Sequence, residues 1–413
     1  MFRTTLASGL RVLVLNNPAV DIVSARFFLR VDSRTDTPPG LAHLVSAVLT
    51  KGTEARDSMA IAQIVESLGA MLGADSTPDY LQIALKSLGE DFPTLLALAA
   101  ELLQRATFPA EQIEIERKAT LQAIRSQQER PFTVAYNQFR AALYGNSPYA
   151  YPELGTEESV LALRREDLLN FYRAHFRPDN AVFVAVGPLE PEAVVRLLEE
   201  HLGGWSVPET PLLRTALLKP TDAFPTATLR TVQPTQQSTV LVGYPAAPIH
   251  SEDFAALKLI GTYLGSGLSS RLFTELREKR GLAYEVSAFY PTRASTSHFV
   301  AYIGTAPENA RTCEAGLRTE VERLASTPLG DSELRTAKNK LLGQYALGKQ
   351  TNSQVAQLLG WYEILGVGAD FDREYTRTVE QLTSADLLAV AERTFKAPIV
   401  SLVGPEDVLA TVF

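Results

Sequence analysis

One cysteine in 413 residues, Cys313, leaves no intrachain disulfide and no cysteine-rich metal cluster to organise the chain. It stands in the helix-like stretch Thr312-Cys313-Glu314-Ala315-Gly316-Leu317, where a small core residue is expected. No apolar run approaches the ~18–20 residues of a membrane span. Blocks of positive charge are missing as well. Lys and Arg total 39 against 47 Asp and Glu, and the net charge of −8 argues against a nucleic-acid or anionic-membrane surface. The chain enters a strand-like run directly after Met1-Phe2-Arg3, without an apolar signal core, so a cytoplasmic protein is expected. Histidine is sparse: His175, His201, His250 and His298 are scattered without ligand spacing. No Gly-x-Ser-x-Gly elbow is present, which leaves a serine hydrolase unsupported. The stretch Gly265-Ser266-Gly267-Leu268 lacks the Gly-Lys-Ser/Thr ending of a phosphate loop.

What is present is enough apolar material, 46 %, for one large or two medium domains. The chain reads as a duplication with a period of about 217 residues. Arg165-Glu166-Asp167-Leu168-Leu169 leads to Val182-Phe183-Val184-Ala185-Val186-Gly187-Pro188. Ser384-Ala385-Asp386-Leu387-Leu388 leads in the same way to Ile399-Val400-Ser401-Leu402-Val403-Gly404-Pro405. Each is a helix running into a buried strand that ends at Gly-Pro. Prolines 208, 211, 220 and 225 mark a linker, so the expected division is 1–206, a linker over 207–226, and 227–413.

Within each half, strand-like runs (10–15, 22–29, 240–244, 299–304) mix with amphipathic helical patterns (from Ser58, then 95–103, 113–124, 254–264 and 332–347). Ile61, Ile64, Val65 and Leu68 show the helical stripe clearly. Without strict alternation of strand and helix, the expected class is α+β: two similar domains, each a mostly antiparallel sheet covered by helices.

The most telling stretch is Gly40-Leu41-Ala42-His43-Leu44-Val45-Ser46-Ala47, followed by Lys51-Gly52-Thr53. An inverted zinc site spells His-x-x-Glu-His, two imidazoles one turn apart with a glutamate base between them. Here the first position is His43, but Ser46 replaces the glutamate and Ala47 the second histidine. Neither replacement binds zinc or takes a proton from bound water at neutral pH.

Further motifs recur in order: Glu116-Arg117-Lys118, Asn146-Ser147-Pro148-Tyr149, Leu154-Gly155-Thr156-Glu157 and Asp167-Leu168-Leu169-Asn170-Phe171-Tyr172. In the second half, Ser269-Ser270-Arg271-Leu272-Phe273 continues to Leu276-Arg277-Glu278-Lys279-Arg280-Gly281-Leu282-Ala283-Tyr284. With these motifs the chain resembles the M16 family of zinc peptidases (insulinase and mitochondrial processing peptidase) in its two-domain form, over nearly its whole length. The resemblance implies a LuxS/MPP-like metallohydrolase duplication. It also places a third zinc ligand, a glutamate, seven residues after Glu116, where this chain has Ala123. Of three ligands and one base only His43 remains, and it reads as a helix histidine among Leu44, Val45 and Val48. No metal is expected in this chain.

The second-half motif is intact. The resemblance implies an Arg/Tyr pair facing a partner's zinc, mapped onto Arg271 and Tyr284. Ser269 or Ser270 is expected to cap a helix with Leu272 and Leu276 inward and Glu275 and Lys279 as an exposed pair. Gly281 is the expected stop, and a strand containing Val286 and Ala288 follows. The implied function is a non-catalytic subunit of a heterodimeric peptidase. Its partner, an active M16 homologue with an intact motif, would bring zinc and base, and the two chains would enclose a chamber for peptide or unfolded protein. The alternative is a structural or peptide-binding homodimer without proteolytic activity. An active peptidase with relocated ligands is the third option.

Overall fold

The structure, a computed structural model, describes residues 1–31, 37–211 and 226–406. Of the expected linker, residues 212–225 lie outside the described residues. The chain divides into two compact units. The first comprises Met1–Ile124, Pro152–Thr215 and Leu347–Asp372; the second comprises Arg125–Tyr151, Ala216–Ala346 and Arg373–Phe413. Each unit therefore holds a helix that belongs in sequence to the opposite half of the chain.

The first unit is built on a six-stranded sheet of β1 (Phe2–Thr5), β2 (Arg11–Asn16), β3 (Val23–Arg30), β4 (Met71–Ser76), β5 (Tyr80–Ser87) and β6 (Ala181–Gly187). Its order is β1-β2-β6-β3-β5-β4, antiparallel except for the β2–β6 pair. The second unit has β7 (Ala227–Val232), β8 (Ser238–Ala246), β9 (Glu285–Phe289), β10 (Ser297–Thr305) and β11 (Ile399–Gly404), in the order β7-β11-β8-β10-β9. Again one pair is parallel, β7–β11. Leaving out β1, the two sheets share one topology, so the repeat read at Gly187-Pro188 and Gly404-Pro405 is a repeat of fold.

Central strands bury both faces. β6 and β11 are buried at every residue, which is why Ala-Val-Phe-Val-Ala-Val and Ile-Val-Ser-Leu-Val read as unbroken runs. β4 alternates exposed and part-buried residues, as an edge strand does. On one face of the first sheet, Phe27 and Phe183 meet with ring centroids 4.7 Å apart, in a core that also takes Leu44 and Val48 of the helix Leu41–Leu49.

The helices carried across the halves seat through glycine-to-phenylalanine contacts. In the first unit Gly360, on the helix Asn352–Ile364, lies against Phe28 of β3; a Cβ there would stand 2.1 Å from the ring. In the second unit Gly243 of β8 lies equally close to Phe139 of the helix Pro131–Tyr144. Because Phe28 is fully buried, an added methyl forces the helix away. Gly360→Ala is thus expected to destabilise by about 1–3 kcal/mol despite alanine's better helix propensity. Thermal denaturation checks this, and an unchanged or raised Tm would overturn the packing argument.

Candidate functional site

The helix Leu41–Leu49 is positioned by its leading glycine. Gly40 sits at φ +84°, and a Cβ there would stand 2.5 Å from the Leu154 carbonyl oxygen. Gly155 in turn packs on the Pro39 carbonyl. The two glycine motifs therefore meet, and their lack of side chains sets how His43 is presented.

Opposite lies the helix Ala110–Gln128, fixed by Arg117. This buried guanidinium donates to the carbonyls of Val160 and Leu163, and its Nε to Glu114, so the Arg of Glu-Arg-Lys has a structural task. One face of the helix presents Glu116, Thr120 and Ala123 at spacings of four and three residues. Thr120 Oγ1 lies 3.3 Å from His43 Nε2 and also donates to the Glu116 carbonyl at 2.8 Å. Glu116 pairs with Lys51 of Lys-Gly-Thr at 3.1 Å. Burial pushes the His43 imidazole below its ordinary pKa, with Glu116 opposing, so it rests neutral near pH 7. Ser46, 3 % exposed, donates its hydroxyl to the His43 carbonyl at 2.8 Å. Ala47 is part-buried and Ala123 exposed.

In the second unit, Leu272 and Leu276 point inward, both fully buried, and Glu275 pairs with Lys279 at 2.8 Å. The expected serine cap is not there. The chain enters a π-helical stretch, Phe273–Glu278, and the buried Ser270 hydroxyl has no hydrogen-bond partner among the described residues. Gly281 ends the helix as expected, with its N–H on Arg277 O and that of Leu282 on Leu276 O. Arg271 is committed to carboxylates, its Nε on Glu320 at 2.7 Å and Nη1 on Glu275 at 3.0 Å. Tyr284 leads into β9, its N–H on Gly304 and its side chain 60 % exposed. No hydrogen bond or ring contact joins Arg271 to Tyr284 among the described residues. Another arginine was missed at the sequence level: Arg277, exposed, without an ion pair among the described residues, its guanidinium 4.9 Å above the Phe273 ring. It stands in the same second-half motif, seven residues before Tyr284.

Two family models together span residues 11–341: "Insulinase (Peptidase family M16)" over 11–157 and "Peptidase M16 inactive domain" over 162–341. An uncharacterized zinc protease of Mycobacterium tuberculosis is 31 % identical over 396 residues, covering 94 % of this chain and 89 % of the relative. The chain belongs to the M16 peptidase family. A Streptomyces coelicolor relative, also an uncharacterized zinc protease, is 29 % identical over 98 % of this M16 chain and 89 % of its own length. Among solved structures, a peptidase M16 inactive domain from Pseudomonas fluorescens superposes with a TM-score of 0.90 at 23 % identity, covering 98 % of both chains. A Helicobacter pylori protease gives 0.89 at 21 %, covering 98 % of this chain and 99 % of its own. At those identities the likeness is one of fold.

Zinc is the metal in the names of the M16 relatives, and the residues here do not fit it. A catalytic zinc takes three protein ligands and keeps a position for water. His43 offers one nitrogen, already beside Thr120, while Ala47 and Ala123 offer no donor and the Ser46 hydroxyl is engaged. Among the described residues no three of His, Cys, Asp and Glu converge as a metal site. Cys313 is buried in the helix Ala310–Glu322, as its surroundings suggested, and no described helix is long and apolar enough to cross a membrane.

Proposed function

We propose that this M16 chain is the non-catalytic subunit of a two-chain zinc peptidase, supplying wall surface and peptide-binding donors to an active homologue that holds zinc and base. The observation that carries this reading is the pairing of an intact second-half motif with a first-half site reduced to His43. Tyr284 supports it, because an exposed phenol with no partner among the described residues is an available donor. Arg271 has its Nε and Nη1 on Glu320 and Glu275, whereas Arg277 has no ion pair among the described residues. A peptide can add as a strand to the outer edge of β4, which has no strand partner among the described residues.

Reconstitution tests the reading. The chain, inert alone, is expected to raise the peptide hydrolysis of an M16 homologue from the same source that carries His-x-x-Glu-His. Unchanged hydrolysis on mixing, with no complex by size-exclusion chromatography, would contradict it.

A further inference from the structure

A cleft of about 360 Å³ lies in the second unit, between the helices Phe254–Gly265 and Asp331–Leu347 and the Ser269–Thr274 segment.

One cation in the cleft is left without a carboxylate. Arg271 is held by Glu275 and Glu320, and Lys279 shares Glu275. Glu333 accepts from the Tyr263 hydroxyl at 2.9 Å and the Gly330 N–H at 3.1 Å. Lys340 has no carboxylate partner among the described residues; its Nζ donates to the Ser266 carbonyl, which leaves two N–H groups. The glycine loop holds it there. A Cβ on Gly267 would come within 3.0 Å of the Lys340 Nζ, and Gln344 fixes Ser266 by a 3.0 Å bond to its hydroxyl. Burial pushes the Lys340 ammonium below its ordinary pKa, a penalty that a bound anion would relieve. Ser270 lines the same cleft, 2 % exposed, its hydroxyl without a partner among the described residues. The cleft therefore holds one unpartnered hydroxyl and one cation without a carboxylate.

We propose that this cleft, with Ser270 in its wall, is a carboxylate-binding site in which Lys340 takes an acidic side chain or the C-terminus of a peptide. That the carboxylate comes from a peptide rests on the function proposed above; the preference for an anion does not.

Calorimetric titration of the full chain at low ionic strength separates the sources. The probes are acetyl-Ala-Ala-Glu-Ala-amide, its Gln counterpart, the Gln peptide with a free C-terminus, and inorganic phosphate. At least one acidic peptide is expected to bind about tenfold or more tighter than the neutral peptide. Which of the two does so distinguishes side chain from terminus. The preference should vanish in Lys340→Met and persist in Lys340→Arg, which keeps the charge. Equal binding of acidic and neutral peptides, or a preference that survives in Lys340→Met, would overturn the site. Binding of phosphate alone would overturn its assignment to a peptide carboxylate. Acid preference in a chain that fails to stimulate any M16 homologue would remove the proposed function and leave the site standing.

Discussion

Ser46→Glu, Ala47→His and Ala123→Glu, introduced together, are expected to give a chain that binds one zinc ion. The frame for it is in place. His43 and position 47 share one helix face a turn apart, and Ala123 lies one turn beyond Thr120, whose hydroxyl already touches His43. None of the new side chains meets a fully packed wall except at Ser46, which is buried, so the glutamate there carries most of the steric cost. A single reinstated ligand is expected to achieve little, because the missing ligands act as a set. Metal analysis after dialysis reads the result. Folded triple variant without zinc would mean that Ala123 does not stand where a third ligand is needed.

The second large effect concerns the donors. In the reconstituted pair, Tyr284→Phe is expected to lower kcat about 10²-fold or more, the range for removing one positioned oxyanion donor, without dissociating the complex. Arg271→Ala removes one of two cations from each of Glu275, which keeps Lys279, and Glu320, which keeps Arg323, so it lowers the melting temperature of the chain itself. Arg277→Ala touches no ion pair among the described residues, so any loss of kcat in that variant reports on substrate. If Tyr284→Phe, Arg271→Ala and Arg277→Ala all leave kcat unchanged, the donor role proposed for this segment fails.

Much of this was legible in the residues because the signals are local. The gap at Ser46 and Ala47 is a matter of helix spacing, and the duplicated Gly-Pro strand ends announce the two sheets, which share one topology. Less legible were contacts between distant positions. Nothing near Lys51 announces Glu116, and nothing in the helices Pro131–Tyr144 and Asn352–Ile364 says which sheet each covers; that depends on glycines matched to Phe139 and Phe28. The Ser270 cap failed for a different reason. Local pattern predicts an α-helical start, whereas the π-helical stretch leaves the hydroxyl unbonded in the wall of a cleft. The motif singles out Arg271, and only the structure shows that Glu275 and Glu320 hold it.

The proposed role requires that this chain have no zinc site of its own. The most direct measurement is the zinc content of the purified wild-type chain after equilibration with zinc and removal of free metal. Well under one equivalent is expected, unchanged in His43→Ala; one full equivalent, lost in that variant, would contradict the absence of a site.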